Sequence, residues 1–408
     1  MVFLAALIPV AAFSPLVDFL GGWLTPGHRS EGRLFQQTLN IVSDHFVGGV
    51  DIDTKELTGE AIDSLLRSLD ENSEYLPQKE AVEFEIETEQ RYGGIGVEVE
   101  WSDERVTIVS PFEGSPGELV GLLPGDQIVK VEGDFMEGKR YREVIDLLRG
   151  PAGSRVRFSV FRPSTQEILD KEVVRAVIKV DSVRGAQMME PGIGYIRITQ
   201  FGTQTFDEFD KALAELEDAG LEGLILDLRS NPGGVLSAAV SIAGEFFEKG
   251  ETVVYTKGKD HAHDRQYRSD SSLRGGEYPI VVLVNNGSAS ASEIVAGALQ
   301  DIGRAKLVGT KTFGKGSVQT IFQYQSGDAM RLTTAMFFTP GGRVIHKKGI
   351  EPNIVVPIEI EDHRKLMLQR RYLEGLGKET FVEKYRFDPI EDKQLEVALK
   401  VVRGQPLR

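Results

Sequence analysis

A chain of 408 residues, 41% hydrophobic and 27% charged, has the composition of a globular protein with room for two or three domains. Its net charge of -15 argues against a nucleic-acid partner, because holding phosphates takes clustered Lys and Arg. With no cysteine at all, disulfides, thiolate metal sites and cysteine nucleophiles are removed together.

The chain opens with MVFLAALIPVAAFSPLVDFLGGWLTPGHRS. Val2 to Phe13 resemble the apolar core of a signal peptide, yet no Lys or Arg precedes Arg29, where such a peptide carries its positive flank. Pro9, Pro15 and Asp18 also make a poor spanning helix. Residues 1–30 are therefore expected to be a targeting or anchor segment, with the protein exported to the periplasm or the extracytoplasmic face of a membrane. Residues 31–83 read as helical, with Leu34, Thr38, Ile41, Val42 and His45 on one face and Ile62, Leu65, Leu66 and Leu69 on another. The pattern breaks at LRSLDENSEYL.

From 84 to 176 the signals change to short strands: GIGVEVEW, RVTIVSPF, GDQIVKVEG and RVRFSVFRP. One helix, YREVIDLLRG, stops at Gly150 and Pro151. This is a small β-rich module. From 177 to 360 the apolar runs GIGYIRI, GLILDLR and PIVVLVN alternate with helical FDEFDKALAELEDAG and VLSAAVSIAGEFFEKG, an α/β layout. Residues 361–408 return to charged helical sequence, including KQLEVALKVVRG.

Two strand-to-helix junctions of the α/β part carry unusual residues. In ILDLRSNPGGVLSAA, Gly233 and Gly234 follow a buried strand, and in VVLVNNGSASASEIVAGAL three serines, Ser288, Ser290 and Ser292, precede a helix. Glycines at such a turn let backbone N–H groups face an anion, and two junctions side by side can form an oxyanion hole. A serine nucleophile needs a base. None of the six histidines stands in a triad-like motif; His261 and His263 lie in a polar loop, and His346 is the one histidine kept as an alternative base. The other candidate is Lys315, between Gly314 and Gly316. A free lysine with a pKa of about 10.4 is a poor base, but burial lowers it by several units. Gly309 and Gly314-Lys315 nearly match a phosphate loop, yet Gly316 stands where Ser or Thr should ligate magnesium and the next residues alternate like a strand.

Together these residues resemble the carboxyl-terminal processing peptidases, or tail-specific proteases, which use a Ser-Lys dyad. The resemblance rests on GSASASE, on FGKGSVQ and on the 25 residues separating Ser290 from Lys315. It extends to LRSLDENSEYL as the segment before a PDZ domain, RYGGIGVEVE as that domain's start, LDLRSNPGG as the oxyanion strand and DKQLEVAL as a C-terminal helix. It implies a crotonase/ClpP-like α/β protease core, a spiral of strands and helices, with a β-rich PDZ domain and helical N- and C-terminal segments. Carried over by position, Ser290 is the nucleophile, Lys315 the general base and Gln319 the residue orienting it, four positions on and within a turn's reach. Oxyanion donors are the Ala291 amide and one from Gly233 or Gly234. The resemblance makes 84–176 the PDZ domain, capturing a substrate's free C-terminus as an added strand. Its carboxylate loop is Tyr92-Gly93-Gly94-Ile95-Gly96-Val97, and Val144 and Leu148 line the side-chain groove. No metal or organic cofactor is needed. The partners implied are polypeptide tails, a membrane through the N-terminus and a second copy of the chain. The competing readings are a catalytically inactive PDZ scaffold and a Ser-His hydrolase using His346.

Overall fold

The computed structural model describes residues 6–7, 26–48, 53–89, 91–102, 105–112, 114–179, 181–261, 263–270 and 275–406. The expected targeting segment 1–30 lies almost wholly outside them. No helix among the described residues is long and apolar enough to cross a membrane.

Two helices lead in, α1 (Pro26–His45) and α2 (Thr54–Arg67), the second capped by Asp53, whose carboxylate accepts from the Lys55 and Glu56 amides. The apolar face expected on α1 does not become core. Leu34 and Ile41 remain 64% and 60% exposed, as do Leu65 of α2 and Leu69 just after it at 61%. Phe35 and Leu39 instead line a cleft of about 700 Å³ with Ile62, Tyr75 and Tyr324. The break at LRSLDENSEYL is real: Glu74–Leu76 pairs as a strand with a long core strand. A third helix, α3 (Gln78–Glu89), runs straight across residue 84.

The β-rich module is an antiparallel sheet of β1 (Val97–Ser102), β2 (Arg105–Pro111), β3 (Gln127–Val131), β4 (Arg155–Arg162) and β5 (Glu167–Val174). Its helix α4 (Tyr141–Leu148) packs Val144 and Leu148 on Ile108, Val131, Val156 and Phe158. A two-stranded neck, Arg91–Gly94 against Ala176–Lys179, carries the chain in and out.

The α/β body is built on β6 (Val183–Glu190), β7 (Ile193–Ile198), β8 (Gly223–Asp227), β9 (Ile280–Val284) and β10 (Ala305–Gly309), in that spatial order, parallel except for β6. Every residue of GLILD and IVVLV is buried because both faces of this sheet are covered. One face meets α5 (Thr205–Asp218), α6 (Leu236–Gly244) and α7 (Ala291–Asp301). The other receives the terminal helix α10 (Lys393–Val402), through Ala398 and Val402. A second sheet pairs β11 (Ser317–Gln323) with β12 (Ala329–Phe338), which continues to Thr252–Gly258. Before α10 come α8 (Ile360–Leu376) and α9 (Lys378–Tyr385). Val109 of β2 in the module is buried among Tyr372 and Phe381 of these two helices.

Candidate active site

The two junctions singled out in the sequence lie side by side, and the serines show how. Ser288 Oγ donates to the Leu228 carbonyl at 2.8 Å, and Ser292 Oγ donates to the Asn231 carbonyl at 2.9 Å. The Ala289 amide also donates to Asn231 O, at 3.0 Å. Asn285 closes the seam: its side-chain oxygen accepts from the Ser230 and Gly287 amides. Two of the three hydroxyls are therefore stitches between the turn after β8 and the turn after β9. The third, Ser290 Oγ, is fully buried and forms no hydrogen bond among the described residues. Ser290 stands at the N-cap of α7 with φ 55° and ψ -114°, a left-handed backbone that costs a serine on the order of 1–3 kcal/mol. The stitched turns hold it there.

Gly233 sits against this serine so closely that a Cβ on it would lie 2.8 Å from Ser290 Cβ and 2.9 Å from the Ala291 nitrogen. Only glycine fits. Its φ of 102° is a second reason. The Gly233 amide donates to Asn231 Oδ1 at 2.9 Å, whereas the Gly234 and Ala291 amides have no partner among the described residues.

Lys315 is joined to the serine through a residue that the sequence reading missed. Glu293, buried in the first turn of α7, accepts from the Ser290 amide at 2.9 Å and the Lys315 amide at 2.8 Å, both on Oε2. Its Oε1 accepts from Thr312 Oγ1 and the Gly314 amide. Burial raises the Glu293 pKa, and these four donors oppose the rise. The Phe313 amide adds a bond to Ser288 O at 3.0 Å. One carboxylate thus clamps both candidate backbones. The signal was present in the sequence, since Ser290 and Glu293 have the S-x-x-E spacing of a capping box.

The Lys315 side chain is 6% exposed. Burial, aided by the Arg331 guanidinium, lowers its pKa to about 8, while Glu71, Glu74 and Asp70 pull the other way. Those acids belong to the LRSLDENSEYL segment, which β12 holds in place: Thr333 N donates to Ser73 Oγ, and Arg331 pairs with Glu74 at 2.8 Å. Gln319 lies on strand β11, so the four residues from Lys315 are extended and not one helical turn. Its Nε2 donates to Thr333 Oγ1 at 3.1 Å, and its Oε1 is buried without a partner among the described residues. His346 backs onto the same loop. A Cβ on Gly316 would touch the His346 nitrogen at 2.5 Å, and the imidazole Nδ1 is buried without a hydrogen bond.

In the β-rich module a groove of about 220 Å³ runs between β1 and α4. Gly94, Ile95, Gly96, Val97 and Leu148 line it as expected, with Tyr92, Tyr141, Ile145 and Arg149. Two expected residues do not. Val144 is 1% exposed and points into the module core, because the groove face of α4 is Tyr141, Ile145 and Leu148. Gly93 serves the neck: a Cβ there would lie 2.0 Å from Gly150 O, so its backbone is packed on that residue. Gly96, at φ 72°, turns the loop while its carbonyl accepts from Ser115 Oγ and the Phe112 amide. The Ile95 and Gly96 N–H groups donate no hydrogen bond among the described residues. Arg149 stacks on Tyr92 at 4.7 Å, and Arg184 of β6 reaches the groove from the α/β body. No group of three or more His, Asp or Glu side chains suited to a metal occurs among the described residues.

An α/β body bearing a sequestered serine and lysine beside a β-rich peptide groove describes a serine peptidase with an attached PDZ domain. Residues 192–356 match the model for peptidase family S41 and residues 107–162 match that for a PDZ domain; the chain belongs to peptidase family S41 and is a serine protease of the carboxy-terminal processing type. The carboxy-terminal-processing protease of Bartonella bacilliformis is 38% identical over 371 residues, 86% of this chain and 84% of that one. The carboxy-terminal processing protease CtpA of Bacillus subtilis is 38% identical over 315 residues, covering 77% of this chain and 66% of that one. Among solved structures, the photosystem II D1 C-terminal processing protease aligns at 28% identity with a TM-score of 0.47, covering 83% of this chain and 96% of that one.

Proposed function

We propose that Ser290 is the nucleophile and Lys315 the general base of an endopeptidase that the PDZ domain feeds with polypeptide C-termini. The observation that supports this reading is the Glu293 clamp, in which one carboxylate oxygen holds the backbone amides of both Ser290, whose hydroxyl is buried, and Lys315, whose buried amine has a lowered pKa. Neutral Lys315 takes the Ser290 proton as Oγ adds to the scissile carbonyl. The oxyanion is met by the Ala291 amide and by Gly234, since Gly233 N–H is already spent on Asn231. As the C–N bond breaks, Lys315 gives the proton to the leaving amine. Water then attacks the acyl-enzyme and passes its proton to Lys315, which returns it to Ser290 Oγ as the ester bond breaks. The unpartnered Gln319 Oε1 is an acceptor suited to orienting the amine.

The free Ile95 and Gly96 amides suit a tail carboxylate, and Ile95, Val97, Ile145 and Leu148 suit an apolar terminal side chain. The alternation of parallel strands and helices agrees with a crotonase/ClpP-like spiral. Export, membrane association through the N-terminus and self-association complete the reading; fractionation of cells and sedimentation of the pure protein test them.

Ser290→Ala and Lys315→Ala are each expected to abolish cleavage of casein. A second reading, with His346 as base, is favoured by its unpartnered Nδ1. Loss of activity in His346→Ala, with Lys315→Ala still active, would reverse the assignment. An inert wild-type protein with an intact groove would instead leave a PDZ scaffold.

A further inference from the structure

The turn that carries Gly233 and Gly234 is held from behind by an ion cluster that reaches into the C-terminal helices. Asp227, the last residue of β8, is completely buried, and so is Arg229 two positions on. Arg229 Nε and one terminal nitrogen donate to Asp227, the latter at 2.6 Å. Its other terminal nitrogen donates to Asp392 Oδ1 at 2.8 Å and Gln394 Oε1 at 3.2 Å. Asp392 in turn caps α10 by accepting from the Leu395 amide. From α8, Arg370 stands 3.5 Å from Asp227 Oδ2, and Tyr195 donates to the same oxygen at 2.8 Å. Complete burial alone would raise the Asp227 pKa, but these guanidiniums hold it well below the usual carboxylate range.

The backbone from Leu228 to Gly233 is the half of the active site that Ser288 and Ser292 are stitched to. Asn231 fastens it further, donating to Ile198 O at 2.8 Å and accepting from the Gly233 amide. We propose that Asp392 and Arg370 are positioning residues for the reaction, setting the oxyanion amides through the buried Arg229–Asp227 pair, so that the C-terminal helices are part of the catalytic scaffold. A buried guanidinium tolerates no missing partner. If Asp392 loses its charge, Arg229 must re-aim, and the Leu228–Asn231 backbone moves with it. Misplacement by about 1 Å is enough to cost on the order of 100-fold in rate. This inference rests on the oxyanion assignment above.

The test is Asp392→Asn, with Asp392→Glu and Arg370→Met beside it, assayed on a quenched peptide substrate below the melting temperature of each variant. For Asp392→Asn and Arg370→Met, kcat is expected to fall roughly tenfold or more with KM within about twofold. A peptide aldehyde, whose hemiacetal oxygen reads the same amides, should bind about tenfold more weakly. Binding of a tail peptide to the PDZ groove should not change. Asp392→Glu should recover most of kcat. Wild-type kcat in both folded variants overturns the proposal. So does a loss of kcat that merely follows the folded fraction, or the failure of all three variants to fold, either of which makes the cluster purely structural. Ser290→Ala in the same assay separates the two layers: if it is dead while Asp392→Asn is fully active, only this inference falls, and if it is active, the nucleophile assignment falls and takes this inference with it.

Discussion

The charges around Lys315 make the pH dependence of cleavage a sharp test. With a pKa of about 8, roughly one lysine in ten is neutral at pH 7, against about one in 3,000 for a lysine at its ordinary value of 10.5. Seclusion therefore supplies about 300-fold in the reactive form. The rate constant kcat/KM should climb nearly tenfold per pH unit below 8 and level off above it. Neighbouring charges then move that limb in opposite directions. Glu74→Gln removes a carboxylate that favours the ammonium form and that pairs with Arg331, so the limb should move to lower pH and activity at pH 7 should rise. For a charge interaction of about 1 kcal/mol the gain at pH 7 is roughly fourfold. Arg331→Met removes a charge that disfavours the ammonium, so its limb should move to higher pH. The assay is initial-rate cleavage of one peptide from pH 6 to 10 at constant ionic strength. A limb near 6.5 that neither substitution moves would point to a histidine base and refute the reasoning.

Three further outcomes follow from the same site. Lys315 has a folded pKa below its unfolded one, so the cost of burying the ammonium is present in full below pH 8 and disappears as pH rises to 10.5; Lys315→Met should unfold at higher denaturant concentration than wild type at pH 7, by up to about 3 kcal/mol, and show no activity. Ser292→Ala loses one buried hydrogen bond and about 1 kcal/mol of stability, and Ser288→Ala loses two, to Leu228 O and from the Asn285 amide, and about 2 kcal/mol, whereas Ser290→Gly relieves a left-handed serine and should raise the melting temperature while abolishing cleavage. Glu293→Gln replaces an acceptor of four hydrogen bonds with an amide that brings its own donors; urea unfolding should show a loss of about 2–4 kcal/mol, and kcat should drop at least roughly tenfold.

The α/β order of the body, the strand-rich module with its one helix and the two glycine- and serine-rich turns were legible because apolar runs such as GLILD and IVVLV have no use outside a covered sheet. Choosing among three alternating serines was not legible from spacing, since every one of them suits a turn; the family resemblance selected Ser290, and the hydrogen bonds of Ser288 and Ser292 set those two apart from it. The groove face of α4 was misread by one position for a similar reason. Val144, Ile145 and Leu148 are all apolar, and periodicity cannot say which stripe faces the module core. On α1 the apolar stripe is genuine but its residues Leu34 and Ile41 stay in solvent, so a 3.6-residue period gives a face without its partner. The Asp227–Arg229 pair escaped attention because its other half, Asp392, lies more than 160 residues away.

Val109 has a consequence for how the groove is emptied and filled. It leaves the surface of the PDZ domain and is 3% exposed, wedged between helices that belong to the protease. To swing, the domain must pull this peg from its socket, at a cost of about 1.5–3 kcal/mol for one aliphatic side chain. If filling the groove moves the domain, the ligand must hold the swung arrangement more tightly than the seated one by at least this much.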